Sequence, residues 1–192
     1  MLPPLGNNLD DVAAGGARGP RFPALSMARL HYVPVIGDDS PVRLSAKSDY
    51  AVRAAVELAC STEGPTKGED LARAQEIPLK FLENILSDLR HAGLVRSQRG
   101  AVGGYWLAKD PKEVSVADII RAVDGPLATV RGQRPEDIAY DGSAEPLQRL
   151  WIAVRASLRG VVENVTLADL AAGKLPAKVS KMADDPEAWA TR

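Results

Sequence analysis

Amide and basic side chains recur at helical spacing between positions 80 and 87 of this 192-residue chain. Lys80, Asn84 and Ser87 share one helical face, with Phe81 beside them. A lysine ammonium can donate to guanine O6 and N7, and an asparagine amide can pair with adenine N6 and N7. The spacing therefore predicts a face that reads base edges in a DNA major groove. For Lys80 and Asn84 the alternative is a solvated polar face.

Two arginines and a pair of glycines follow a short distance along the chain. Arg96 and Arg99 suit DNA phosphates or a narrow minor groove, which attracts arginine. Gly103 and Gly104 lack a Cβ, so their backbone can come close to a sugar–phosphate chain. Tyr105 is expected to pack beneath this segment rather than to contact DNA. These residues predict a second contact with nucleic acid beside the first.

A helix-turn-helix is predicted to position the first group of residues. Thr66 and Glu69 have the spacing of a capping box, which would start a short helix. Residues 75–77 break that helix, and Pro78 fits the first turn of the next one. The second helix is expected to end at Gly93, in the left-handed conformation that glycine favours. Its predicted buried stripe consists of Leu82, Ile85, Leu86 and Leu89.

A glycine-tipped β-hairpin is predicted to position the second group. Residues 94–98 read as a strand, 100–104 as a turn and 105–107 as the returning strand. A helix-turn-helix that runs directly into such a hairpin is typical of a winged-helix DNA-binding module. The sequence thus predicts a mainly α fold with a small β wing.

The longest predicted helix opens at Pro146 and carries a continuous apolar stripe over about five turns. Such a helix must bury its stripe, and a self-complementary patch shared with a second copy is the simplest solution. The dimerisation residues predicted on it are Leu147, Leu150, Trp151, Val154, Leu158 and Val161. For Trp151, the edge of an effector pocket is an alternative. Ser115 and Thr166 are predicted to cap the helices before and after this one.

Polar residues at both ends of the first helix are further candidates. Ser45, Lys47 and Tyr50 could contact DNA phosphates, whereas a cap and core role is the alternative for Ser45 and Tyr50. Cys60, at the other end, is expected to be a core residue, the alternative being a redox-sensing thiol. His91 is expected to complete a helix dipole rather than to bind a metal.

Five stretches of the chain resemble the Rrf2 family of bacterial transcription regulators. VRLSAKSDYA at 42–51 resembles the opening of that family, and IPLKFLE at 77–83 with GLV at 93–95 resembles its recognition-helix segment. RGAVGGYWLA at 99–108 resembles its wing, and SVADIIRAVDG at 115–125 resembles the helix that follows. The match runs from residue 42 to residue 173. The resemblance implies a homodimer that is joined through the long helix and reads palindromic DNA sites.

The loop before the long helix lacks cysteine. Family members that bind an iron–sulfur cluster hold it there with three cysteine thiolates, whereas residues 131–151 contain neither cysteine nor histidine. The carboxylates in this region are hard oxygen ligands, poorly suited to iron–sulfur chemistry. They belong to Glu136, Asp137, Asp141 and Glu145. The sequence therefore predicts no cluster of the family type, and no other cofactor is expected.

Composition divides the chain into four parts. Six prolines and five glycines among residues 1–41 indicate a disordered extension or, if Val42 marks an alternative start codon, an untranslated leader. Residues 42–125 form the predicted winged helix-turn-helix domain. Residues 126–175 hold a loop and the dimerisation helix, and residues 176–192 are expected to be a flexible tail.

Charge and cysteine content exclude several classes of protein. The net charge is −1, but residues 42–109 carry ten Lys/Arg against eight Asp/Glu, while residues 110–192 carry eleven against thirteen. This asymmetry has the sign expected of a DNA-binding half. No apolar run is long enough for a transmembrane helix, and a single cysteine fits a reducing cytoplasm. No nucleophile or phosphate-loop motif typical of an enzyme occurs.

The combined prediction is a dimeric, cytoplasmic winged-helix regulator, a repressor that binds a palindromic operator without an iron–sulfur cluster. Two alternatives stay open. One is a protein-interaction regulator controlled by docking a metabolic enzyme, which the resemblance to the cysteine-metabolism repressor of the family suggests. The other is a repressor that senses a small molecule in a pocket between the wing domain and the long helix.

Overall fold

The computed structural model describes residues 44–61 and 64–190. Their helices are α1 (Ala46–Cys60), α2 (Gly68–Gln75), α3 (Leu79–His91), α4 (Val116–Asp124), α5 (Pro146–Val162), α6 (Leu167–Ala171) and α7 (Ala177–Ala183). Strands β1 (Val95–Gln98) and β2 (Gly104–Leu107) pair antiparallel. This is the predicted mainly α fold with a small β wing. The predictions for residues 1–41 lie outside the described residues, and no helix in the described part is long and apolar enough to cross a membrane.

The apolar stripe of α3 lies at the centre of the main core. All four of its predicted residues, Leu82, Ile85, Leu86 and Leu89, are fully buried. They pack with Leu71 of α2 and with a row of small side chains on α1. That row, Ala51, Ala54 and Ala55, is also fully buried, which allows α1 to lie close to its neighbours. α1 contacts α2, α3, α4 and α6, so it is the helix on which the domain is assembled.

The turn between α2 and α3 follows the prediction closely. Glu76 adopts the left-handed conformation, with φ of 52°, and ends α2 after Gln75. Pro78 then stands as the residue before the first turn of α3, one position earlier than predicted. At the far end Gly93 has φ of 70°, the left-handed geometry expected after a helix.

The predicted capping box at Thr66 is wrong. The residue before α2 is Lys67, and no side chain caps that helix. Thr66 instead forms a β-bridge to Tyr105 of the wing: its N–H donates to the Tyr105 carbonyl at 2.9 Å and its carbonyl accepts from the Tyr105 N–H at 2.8 Å. Its hydroxyl donates to Ser61 Oγ at 3.0 Å. The backbone N–H of Thr66, which a capping box would have used, is therefore bonded to strand β2.

The predicted caps at Ser115 and Thr166 are present, and both are capping boxes. Ser115 starts α4 and Thr166 starts α6, each paired with an aspartate three residues later. The two starts lie side by side, because Val116 N–H donates to the Val165 carbonyl and Leu167 N–H donates to the Val114 carbonyl, both at 2.9 Å. Hydrogen bonds from Thr166 to the Asp169 carboxylate lower the pKa of that group.

The segment after Pro176 and the end of α1 differ from expectation. Where a frayed tail was predicted, residues 177–183 are helical as α7, and Val179 on that helix is buried. Cys60, predicted in the core, is exposed because it is the last residue of α1, beyond the packed Leu58. Partial burial and the Glu57 carboxylate raise the pKa of its thiol, which disfavours the reactive thiolate.

Candidate nucleic-acid interface

The face of α3 opposite its buried stripe is polar and open to solvent. The Lys80 side chain is 89% exposed, and its ammonium lies 3.3 Å from the Glu83 carboxylate. Asn84 lies one turn after Lys80 and is exposed, and its side-chain amide has no hydrogen-bond partner among the described residues. Since exposed ion pairs are weak, Lys80 can exchange Glu83 for a base or a phosphate at little cost.

Phe81 lies on the flank of α3 that faces α1. Its ring meets the ring of Tyr50 edge-on, with 5.7 Å between centroids and an interplanar angle of 83°. The Arg53 guanidinium lies 5.4 Å from the centroid of the same Tyr50 ring. Phe81 remains 40% exposed. This predicted DNA-contact residue therefore also braces α3 against α1.

Ser45 makes its contacts within the protein. Its hydroxyl oxygen caps α1 by accepting from the Ser48 N–H at 2.9 Å. The same hydroxyl donates to Asp124 Oδ2, at the end of α4, at 2.5 Å. Ser48, which is buried, donates its own hydroxyl to that oxygen at 2.6 Å. One carboxylate thus fastens the start of α1 to the end of α4.

Lys47 is also engaged internally. Its Nζ donates to the Val123 carbonyl of α4 at 2.9 Å and lies 2.8 Å from the Asp88 carboxylate of α3. The ammonium therefore joins three helices, α1, α3 and α4. We call this set of contacts the α1 junction, made of Ser45, Lys47, Ser48, Asp88 and Asp124.

The wing carries unpaired positive charge. The Arg96 and Arg99 side chains are exposed and have no hydrogen-bond or ion-pair partner in the part of the chain that the structure describes. A groove of 530 Å³ runs along the side of the wing and the end of α3, and Arg96 lines it together with Arg90, Lys109 and Trp106. None of its lining residues is acidic. A groove with three cations and one indole suits a nucleic-acid backbone.

Arg90 and Lys109 were missed by the sequence analysis. The antiparallel register places Arg96 opposite Trp106, and the Ala108 N–H donates to the Leu94 carbonyl at 2.9 Å. This closure at the base of the hairpin brings Lys109 to the end of α3. A search for basic residues close to either end of the predicted hairpin would have identified both Arg90 and Lys109.

Gly103 and Gly104 are required by the backbone of the protein itself. A Cβ on Gly103 would lie 2.3 Å from the Gln98 carbonyl oxygen, and one on Gly104 would lie 2.5 Å from the Thr66 carbonyl oxygen. Both separations are too short for a real side chain. The predicted reason, close approach to DNA, is therefore not the only one. Tyr105 packs against the core, in the way expected from its sequence position.

The predicted dimerisation stripe on α5 is largely uncovered in the single chain. Leu150 is 50% exposed, and Leu147, Trp151 and Val154 are half-buried. The two remaining residues, Leu158 and Val161, pack in part against a small cluster that includes Ile120 and Leu127. Val162 is the one buried residue of this helix.

Comparison with known proteins gives matches over most of the described chain. The family described as "Rrf2: Iron-dependent Transcriptional regulator" matches residues 44–173. The HTH-type transcriptional regulator Rv1287 of Mycobacterium tuberculosis is 51% identical over 145 residues, which cover 75% of this chain and 90% of the relative. CymR of Bacillus subtilis is 38% identical over 132 residues, which cover 68% of this chain and 90% of CymR.

Solved structures of similar proteins have the same fold. CymR of B. subtilis, titled the global cysteine regulator of that organism, superposes with a TM-score of 0.58 at 36% identity, covering 69% of this chain and 98% of CymR. IscR of T. potens superposes with a TM-score of 0.55 at 32% identity, covering 78% of this chain and 93% of IscR.

The donor set of this chain does not fit an iron–sulfur cluster bound by three cysteines of one protomer. The chain has a single cysteine, and it lies at the exposed end of α1. Within residues 44–61 and 64–190, no three His, Cys, Asp or Glu side chains converge as metal ligands do. Because such clusters are held by thiolates, the iron dependence in the family description has no matching ligand set here.

Proposed function

Since the chain belongs to the Rrf2 family of DNA-binding transcriptional regulators, we propose that it acts as a homodimeric repressor that binds a palindromic operator without an iron–sulfur cluster. The family consists of transcription regulators rather than enzymes. The observation that carries the proposal is the combination of an exposed polar face on α3, an exposed basic wing and a partly exposed apolar stripe on α5.

In this proposal α3 enters the major groove. Lys80 and Asn84 lie on its open face, where the lysine can donate to guanine and the asparagine can pair with adenine. The buried stripe on the opposite face fixes the helix in the domain. Phe81, at the edge of the open face, supplies apolar contact for a thymine methyl group.

The wing then lies over the neighbouring minor groove. Arg96 and Arg99 contact phosphates or the minor groove, and Arg90 and Lys109 extend the same positive surface towards α3. Ser45 and Lys47 act mainly as positioning residues, since their side chains hold α1 to α4 and α3. Gly103 and Gly104 keep the tip of the wing narrow.

The second protomer covers the stripe on α5. A symmetric pairing of two such helices would bury Leu147, Leu150, Trp151 and Val154, which a single chain leaves open. A two-fold dimer presents two copies of α3, so its operator consists of two half-sites related by the same symmetry.

The decisive experiment measures binding to an operator recovered by selection from random duplex DNA. We expect Lys80→Ala and Arg99→Ala each to weaken binding by about tenfold, because each removes a charged contact to DNA. Lys181→Ala, the same change at an exposed lysine on α7, serves as the matched control and should leave affinity unchanged. Affinity should also fall steeply with salt, since phosphate neutralisation releases counterions. Unchanged affinity in both test variants would show that this docking is wrong.

A further inference from the structure

An arginine-rich cleft lies beside the end of α4. Its volume is 420 Å³, and it opens between the end of α4, the turn Pro135–Asp137 and α5. Three elements each contribute arginine: Arg121 from α4, Arg134 beside the turn, and Arg155 with Arg159 from α5. Glu136 is the one carboxylate on its wall, while Pro126 and Leu127 form an apolar side. We call this feature the arginine cleft.

Three of the four guanidinium groups are held by carboxylates. Arg155 is 17% exposed and lies 2.5 Å from Glu136 Oε2, with Arg134 close enough to contribute to the field at that carboxylate. Arg121 and Arg159 both contact the carboxylate of Glu163, and Arg121 also lies 3.8 Å from the Asp118 carboxylate. These contacts lower the pKa of both glutamates, chiefly through the hydrogen bonds from Arg155 to Glu136 and from Arg159 to Glu163.

The two glutamates leave many arginine donors unused. Each guanidinium has five N–H donors in a planar fork, which matches the paired oxygens of a carboxylate or phosphate. The Arg134 side chain makes neither a hydrogen bond nor an ion pair with any described residue, and it is exposed at the cleft. The wall therefore offers two groups of arginine donors and an apolar side, and the unpaired positive charge lies at Arg134.

We propose that the arginine cleft binds a small molecule that carries two oxyanion groups, and that its occupancy changes the affinity for DNA. One oxyanion faces Arg134 and Arg155, the other faces Arg121 and Arg159, and the carbon skeleton lies on Pro126 and Leu127. The volume lies within the range of small-molecule sites. The second half of the proposal rests on the proposed function, since it requires DNA binding.

A continuous set of contacts leads from the cleft to α3. Arg121 lies one turn before Asp124, whose carboxylate receives the hydroxyls of Ser45 and Ser48. Lys47, in the same junction, joins the Val123 carbonyl to Asp88 of α3. A ligand that repositions the end of α4 therefore acts on the helix that carries Lys80 and Asn84. Such contiguous polar contacts are the kind of path by which coupling between sites can travel.

Binding is tested by calorimetry on the full chain, with citrate and inorganic pyrophosphate as probes and potassium chloride at matched ionic strength as the reference. We expect at least one probe to bind, and Arg134→Gln to weaken that binding by about tenfold, because a charged donor is lost. Arg149→Gln makes the same change at an exposed arginine of α5 that does not line the cleft, so it should bind like the wild type. Binding of citrate alone assigns a carboxylate ligand, and binding of pyrophosphate alone assigns a phosphorylated one.

Arg134 is chosen because its loss breaks no ion pair within the described protein, so the variant should keep its fold, which circular dichroism checks. If neither probe binds, or if Arg134→Gln and Arg149→Gln weaken binding equally, the arginine cleft is not an oxyanion site.

The effect on DNA is measured with the operator recovered by selection. A saturating probe should change operator affinity by about fivefold or more in the wild type and should have no such effect in Arg134→Gln. Without probe, the two proteins should bind DNA equally well. An identical response in both would overturn the coupling, because anions competing at the DNA-binding face would act on both proteins alike. Absence of DNA binding in both would contradict the proposed function and leave the calorimetric result standing.

Discussion

Helices α3 and α5 both carry an apolar stripe, but they bury it to very different extents. α3 buries four large side chains completely within its own chain and exposes a polar face. α5 is longer, buries only Val162, and leaves much of its stripe open. The first helix is complete in a single protomer, so its free face is available for DNA. The second leaves part of its stripe exposed in a single protomer, and this is the face that the proposed dimer would cover.

The two helices also differ in what attaches them to the rest of the molecule. α3 is held by close apolar packing against α1 and α2. α5 is held by a small apolar cluster near its end and also by charged contacts, from Arg155 to Glu136 and from Arg121 of α4 to Glu163. Apolar packing is insensitive to pH, whereas ion pairs depend on the ionisation of the carboxylate. The helices should therefore respond differently to truncation and to acid.

The largest effect is expected from truncating the stripe of α3. Leu86→Ala should lower the free energy of unfolding by about 2–5 kcal/mol, because it leaves a cavity in a fully buried site. Ser87→Ala, on the neighbouring position of the same helix, should change it by less than about 0.5 kcal/mol. Urea denaturation monitored by circular dichroism measures both. Similar values for the two variants would contradict the central position of α3 in the core.

The next effect concerns the exposed stripe of α5. Leu150→Asp should weaken self-association by about a hundredfold or more, since it would place an unpaired charge in the proposed dimer contact. The helix content should not change, because Leu150 is 50% exposed in the single chain. Sedimentation over a range of concentrations measures the association, with Arg149→Gln as the control. A variant that remains as dimeric as the wild type would place the dimer interface elsewhere.

A smaller effect is expected at the α1 junction. Asp124→Asn removes the charge from the carboxylate that receives the hydroxyls of Ser45 and Ser48. We expect a loss of stability of about 1 kcal/mol, since hydrogen bonds to a charged group are stronger than those to a neutral amide. Thermal unfolding compares this variant with Asp141→Asn, an exposed aspartate in the loop before α5. Equal unfolding curves would show that the junction does not stabilise the domain.

The smallest expected effect is a difference between α3 and α5 in how their hydrogen-exchange protection depends on pH. Arginine contacts lower the pKa of Glu136 and Glu163 from the ordinary value of 4.5. A lowered pKa means that the stabilisation is present above the ordinary pKa and is lost as the pH falls through the lowered one. Hydrogen exchange, corrected for intrinsic rates, should show α5 losing protection in this acid range before α3 does. In the double variant Glu136→Gln/Glu163→Gln, the loss of protection of α5 between neutral and acid pH should be smaller than in the wild type. An undiminished loss would exclude these carboxylates as its source.

The elements predicted from the sequence are those that depend on local signals. The spacing of Leu82, Ile85, Leu86 and Leu89, the stop at Gly93 and the caps at Ser115 and Thr166 all involve residues within a few positions of each other. The capping box predicted at Thr66 was wrong because a distant strand pairs with the backbone of this residue. Its backbone pairs with Tyr105 of the wing, and no local rule includes that strand.

The candidate site was predictable in part. The open face of α3 and the wing arginines follow from helix and hairpin periodicity. The internal roles of Ser45 and Lys47 do not, since their partners on α4 are 76 to 79 residues away along the chain. The arginine cleft is equally remote from local patterns, because Arg121 and Glu163 are 42 residues apart and meet only after α4 and α5 have packed.

The bridge between Thr66 and Tyr105 also has a mechanical meaning. It ties the hairpin to the segment before α2, so the wing and the helix-turn-helix have a fixed separation. A DNA duplex that contacts both the wing and the helix-turn-helix would have to match that separation. Inserting one base pair between the two contacted regions would turn one of them away by about a tenth of a helical turn. The spacing tolerated in an operator half-site would then be set by two backbone hydrogen bonds rather than by any side chain that touches a base.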